Sequence, residues 1–182
     1  MQEKSQQSKK SKKGQLIIEA TISTSIMVVG LLGIFVLVSR SLNMYHTASQ
    51  EYVAINLAAE GIEVTKNILD ANLIKGSVRW NYGFERDGDY GVQYNSKTLI
   101  DSGSPDKYLL YSPNTGLYNY DDTNGNPSVY QRKVAIKSIS LNEIQVNSVV
   151  TYNIRTGAKF EINLEDHFYN WRWAIVFLKK AS

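Results

Sequence analysis

The chain of 182 residues has no cysteine, which excludes disulfides and thiolate-bound metals. Its two histidines, His46 and His167, lie too far apart in sequence for an H-E-x-x-H helix or any paired-histidine motif. Proline is reduced to three residues, none before Pro105, so nothing of that kind interrupts a helix in the first hundred residues. A nucleophile elbow, a phosphate loop and a zinc pattern are all missing. The reading is therefore of a chain that is no enzyme and carries neither cofactor nor metal. With 43% apolar and 20% charged residues, wholesale disorder and collagen-like repetition are excluded as well.

What charge there is falls unevenly. Residues 1 to 14 hold five lysines against Glu3, a net +4, so that of the formal +3 of the whole chain residues 15 to 182 carry −1. The excess is a local run, Lys9, Lys10, Lys12 and Lys13, which reads as a topology signal and not as a nucleic-acid footprint. Behind it, Leu16 to Val38 form 23 residues with a single ionisable group, Glu19. As a helix this stretch is roughly 34 Å long, enough for a hydrocarbon core of about 30 Å. Lysines before it and only Arg40 after it place the N-terminus in the cytoplasm and the rest outside, with one crossing. A secretory signal peptide would have an apolar run of about 7 to 15 residues and a small-x-small cleavage site; this run is longer and ends in Val36-Leu37-Val38-Ser39-Arg40. An uncleaved anchor accounts for everything but Glu19, which must snorkel to the interface or find a partner.

Lys12-Lys13-Gly14-Gln15-Leu16-Ile17-Ile18-Glu19-Ala20 resembles the type IV prepilin leader: a short basic peptide, glycine at the cut, and glutamate fifth in the mature chain at the start of an apolar helix. The family most often has phenylalanine as first mature residue; here it is Gln15. The resemblance implies that a membrane-embedded prepilin peptidase cuts between Gly14 and Gln15, where a residue without side chain admits the extended backbone a protease cleft needs. It further implies N-methylation of Gln15, and pairing of Glu19 with the new amine of a neighbouring subunit, each group being costly alone in apolar surroundings. The implied partners are the peptidase, other pilin or pseudopilin subunits, an inner-membrane assembly platform and the lipid bilayer. Nucleic acid enters only through a DNA-uptake role. Gly30 and Gly33, mid-span, cost about 1 kcal/mol each relative to alanine; the resemblance implies that the helix loosens there in a filament, the alternative being that both glycines merely allow close helix packing.

Beyond the span, Tyr45, Ala48, Tyr52, Ile55, Ala59, Ile62, Lys66 and Leu69 recur at steps of three and four, predicting one apolar face, with Asn43, Gln50, Glu60, Glu63 and Asn67 opposite. A single helix from Leu16 to about Asp70 would run roughly 80 Å. Ala58-Ala59-Glu60-Gly61-Ile62-Glu63 resembles the second half of the N-terminal helix in minor pilins and pseudopilins. From residue 73 onward the text changes: ten of twelve tyrosines and all prolines lie there. Turn clusters recur at Asp87-Gly88-Asp89, Ser102 to Asp106, Pro113 to Gly116 and Asp121 to Pro127. Alternation predicts strands at Tyr90/Val92/Tyr94, Tyr130/Arg132/Val134/Ile136, Ile144/Val146/Ser148/Val150/Tyr152 and Phe160/Ile162/Leu164. The last three form an antiparallel meander turning near Leu141-Asn142 and Thr156-Gly157.

The expected fold is thus α+β: a basic leader at 1 to 14, a transmembrane half-helix at 15 to 39, an amphipathic half at 40 to 72, and an extracytoplasmic head at 73 to 182 built on an antiparallel sheet. The aromatic ending His167 to Phe177 reads as an edge strand or core plug. Asp121 to Asn126 is suggestive of a calcium loop, but the EF-hand alignment puts Tyr120 and Gln131 at ligand positions, so a polar turn is the reading kept. Two functions stand side by side: a structural subunit of a type IV pilus or pseudopilus-like filament at the cell surface or in the periplasm, minor-pilin-like in its tyrosine-rich head, and a single-pass anchored surface domain that binds ligands without assembling.

Overall fold

The computed structural model describes residues 3–76, 79–100, 107–121, 125–154 and 157–171, with side chains from Gly14 onward. One helix, α1 (Glu3–Lys75), covers the basic leader, the apolar run and the segment beyond it. It ends where Gly76 takes a left-handed φ of 68° and donates its N–H to the Asn72 carbonyl at 3.3 Å, an αL cap, with Lys75 in the last turn opposite the negative end of the helix dipole. The chain divides into two compact units, Met1–Ala48 and Ser49–Ser182.

In the first unit every large apolar side chain from Leu16 to Val38 is 51 to 70% exposed, on all sides of the helix. A helix apolar all round belongs in a lipid or protein interior, and α1 is long and apolar enough to span a membrane. Its hydroxyl residues are compatible with that setting because each bonds back to the preceding turn. Thr21 donates to the Ile18 carbonyl, Ser23 to Glu19, Thr24 to Ala20 and Ser25 to Thr21, all at 2.7 to 2.8 Å.

The second unit lays the C-terminal part of α1 on a six-stranded antiparallel sheet. The strands are β1 (Gly88–Tyr90), β2 (Tyr108–Tyr111), β3 (Tyr118–Asn119), β4 (Asn126–Ser140), β5 (Glu143–Asn153) and β6 (Lys159–Tyr169). Their order is β3-β2-β4-β5-β6, and β1 shares with β2 the same edge of the long β4. The expected α+β arrangement and the meander β4-β5-β6 are both present. The register pairs inward residues with each other: Tyr130 with Tyr152, Arg132 with Val150, Val134 with Ser148, and Ile136 with Val146. The tight turn falls at Leu141 and Asn142, and Gly157, at φ 82°, lies in the β5-β6 connection as expected. Two strands were not legible in the alternation, β2 and β3, which are only four and two residues long. In the Tyr90/Val92/Tyr94 segment, pairing stops early: β1 ends at Tyr90, Gly91 bridges to Ile100, and a turn closes between Gln93 and Ser96.

The buried face of α1 corrects the expected one. Ala54, Leu57, Ala58, Gly61, Val64, Thr65, Ile68 and Leu73 are buried, whereas Tyr52 is 69% and Ile55 41% exposed and Tyr45 and Lys66 face outward. Of the expected stripe Leu69 is buried and Ala59 and Ile62 are half-buried, so the true face is turned by about one residue, roughly 100°. The cause is the polar content of the face. Gly61 and Thr65 sit where a hydrophobicity count expects large apolar residues, because the sheet delivers an arginine there. Two apolar clusters result. One joins Ala54, Leu57 and Ala58 to Leu109, Tyr130, Val150 and Tyr152; the other joins Val64, Ile68, Leu69 and Leu73 to Trp80, Phe84, Val92, Val134, Ile136, Ile144 and Val146.

Candidate functional site

The residues singled out in the sequence all lie on the first unit of α1. Gly14, Gln15, Glu19, Gly30 and Gly33 are exposed, and a Cβ added at any of the three glycines would meet nothing within 4 Å. Gly14 is helical in the free chain, so a protease requiring an extended backbone must first unwind this turn. Gln15 and Glu19, four residues apart, share one face about one turn apart. Among the described residues the Glu19 carboxylate has no hydrogen-bond or ion-pair partner; only its carbonyl is engaged, by Ser23. The helix stays regular through Gly30 and Gly33 in the single chain. The structure thus places one carboxylate, unpaired among the described residues, on a fully uncovered apolar helix, one turn after Gln15.

Sequence reading missed a polar seam in the head, between the two apolar clusters. Arg132, with no exposed atom, donates Nη1 to the Leu57 carbonyl at 2.9 Å and to Glu60 Oε1 at 3.1 Å, and Nη2 to the Val92 carbonyl. Tyr120 Oη donates to the Arg132 carbonyl at 2.8 Å, and burial pushes its phenol up. Glu60, expected on the solvated side, is the guanidinium's counter-charge. A signal existed: Arg132 occupies an inward position of the β4 alternation, and a charge there requires a partner. This seam ties helix, sheet and the loop after β1 together. Arg132 is sealed from solvent while the Glu60 side chain stays 27% exposed, and the bonds the guanidinium makes to three separate segments mark the seam as an architectural feature.

At the free edge of the sheet, His167 lies between two carboxylates, Nδ1 2.8 Å from Glu143 Oε1 and Nε2 3.4 Å from Glu165 Oε1. Tyr169 Oη donates to Glu143 Oε1 at 3.0 Å and Asn147 to Glu165 Oε2 at 2.9 Å. The hydrogen bond to Glu143 raises the imidazole above its ordinary range, and the bond from Asn147 lowers the Glu165 carboxyl. Of the aromatic ending, His167 to Tyr169 belong to β6, an edge strand, and Trp171 is half-exposed; Arg172 to Phe177 lie outside the described residues. The polar turn at Asp121 to Asn126 is described only in part, since 122–124 lie outside; Asp121 accepts from Gln93 at 3.3 Å. Among the described residues no group of three His, Cys, Asp or Glu side chains is placed to hold a metal ion.

Compared with protein-family models, with curated proteins and with solved structures, the chain matches none.

Proposed function

We propose that this chain is a structural subunit of a type IV pilus or pseudopilus-like filament, made as a precursor with its N-terminus in the cytoplasm, cut between Gly14 and Gln15, and assembled through α1. The observation that carries the proposal is an uncovered apolar helix bearing one carboxylate, Glu19, that has no partner among the described residues and lies four residues after Gln15. A bilayer can cover the apolar surface, but an isolated carboxylate in such surroundings remains costly. Cleavage at Gly14 supplies the missing charge: the new α-amine of Gln15 on one subunit pairs with Glu19 of the next. A subunit that needs such a neighbour is inserted below an existing subunit and does not cap the assembly.

The prepilin peptidase, sibling subunits and an inner-membrane assembly platform are the corresponding partners, and the cell surface or periplasm the site of action after processing. Methylation of the Gln15 amine would accompany cleavage. The experiment is intact-mass analysis of membrane-extracted protein made with and without a prepilin peptidase. The expected N-terminus is Gln15, methylated or cyclised, only when the peptidase is present. Cleavage after Ser39, or none, would leave a single-pass anchored surface domain as the function.

A further inference from the structure

Away from the span and from the polar seam, the head contains a cavity of about 380 Å³ between the last turns of α1, the loop after it and the loop that follows β1. This lies in the size range of small-molecule sites. Its apolar lining comes from Ile68 and Phe84, both buried, and Tyr82 and Tyr90 add aromatic surface. Three cations line it, Lys75, Arg86 and Lys97, and among the described residues none has an ion-pair partner. No carboxylate is among the lining residues: of the acids flanking Arg86, Asp87 accepts from the Ser138 N–H and Asp89 pairs with Lys133 at 3.0 Å, while Glu85 accepts from the N–H of Gly83 at the cavity wall. Of this loop's charged side chains, Arg86 lines the cavity and the three acids do not. A cleft walled by one sign of charge concentrates counter-ions of the other.

Polar groups narrow the ligand further. Asn72 spends its Nδ2 on the Trp80 and Tyr82 carbonyls, at 3.4 and 2.9 Å, leaving Oδ1 without a donor among the described residues. The hydroxyls of Tyr82 and Thr98, which also line the cavity, have no partner among them either. An anion with a bare hydrocarbon body would make no use of these groups, whereas a ligand with hydroxyls can bond to them. A hydroxylated ring can lie on the tyrosines and bond to them. We infer that this cavity binds an acidic sugar, a pyranose ring carrying a carboxylate or phosphate, with Arg86 and Lys97 holding the charged group. The site is independent of the filament reading, and holds for an assembled or an unassembled chain.

The test is a ligand-observed NMR titration of the full chain in a polyoxyethylene detergent, which carries neither charge nor sugar. Glucuronate and glucose 6-phosphate supply the two forms of the charged head; glucose and benzoate are the neutral-sugar and sugar-free controls. At least one acidic sugar should bind saturably, about tenfold or more tighter than either control, and more weakly as salt is raised. The double change Arg86→Gln and Lys97→Gln, at two exposed positions, should weaken it about tenfold or more, whereas Lys159→Gln on β6 should leave it unchanged. No binding of either acidic sugar, equal binding of glucose or benzoate, or indifference to the double change would overturn the inference.

Discussion

Arg132 reaches across the head to a helix carbonyl, a loop carbonyl and Glu60, and its methylene stem and the Ser148 hydroxyl occupy the space above Gly61. A Cβ at Gly61 would stand 2.3 Å from Ser148 Oγ and 3.2 Å from Ser148 Cβ, so glycine is required there by close approach. Ser148 Oγ is itself buried without a partner. Gly61→Ala should therefore destabilise the head by about 1 to 3 kcal/mol through overpacking, in spite of alanine's better helix propensity. In a Ser148→Ala background the worst contact is gone, and the same change should cost measurably less, a coupling of about 0.5 kcal/mol or more in a denaturant double-mutant cycle. Additive effects would show that the helix shifts freely at this point.

Among the elements, β2 to β6 carry a row of rings, Tyr111, Tyr118, Tyr130, Tyr152 and Phe160, with successive centroids 5.3 to 5.8 Å apart. Tyr130 Oη donates to the Gln50 carbonyl at 3.2 Å, joining sheet to helix, and burial pushes its phenol up to about 12 from 10.0. Burial raises Tyr118 and Tyr152 as well. Because these folded-state values lie above the unfolded one, the stability involved is complete below pH 10 and is lost as pH rises through the raised values. Alkaline unfolding should begin above pH about 10, and in an absorbance titration Tyr130→Phe should remove the phenol titrating last. The β5-β6 edge has the complementary window. His167, raised above 6.5, contributes most below that pH and loses its contribution on the way up through its folded value. Glu165, lowered below 4.5, contributes above that pH and loses it on the way down. Protection of the β5-β6 amides, exchange divided by the intrinsic rate at each pH, should be greatest between these limits, and His167→Gln should flatten the profile on its neutral side.

For the whole molecule, the proposed filament subunit makes Glu19 the residue to change. Replacing it by alanine should leave membrane insertion and cleavage at Gly14 intact, since neither uses the carboxylate, and should lower recovery in sheared filaments. Stranding a neighbour's buried amine costs about 3 to 5 kcal/mol, enough to deplete the variant from any assembly that depends on the pair. Equal recovery of Glu19→Ala would reduce the carboxylate to a residue that snorkels at the interface. Labelled protein confined to filament tips would likewise contradict insertion beneath a neighbour.

The long apolar helix and the sheet meander were legible in the sequence because both rest on local patterns. A run of 23 nearly uncharged residues is long enough to span whatever follows, and alternation assigns the inward side of β4 and β5 one residue at a time. Which face of α1 is buried was decided only by the tertiary fold, since that choice depends on what the sheet presents. Arg132 requires a small residue opposite and an acid beside it, so the face with Gly61 and Thr65 is covered while the more apolar Tyr52 and Ile55 stay outside. The cavity is beyond sequence for the same reason. Lys75, Arg86 and Lys97 come from a helix end and two loops, and only folding brings their charges to one place.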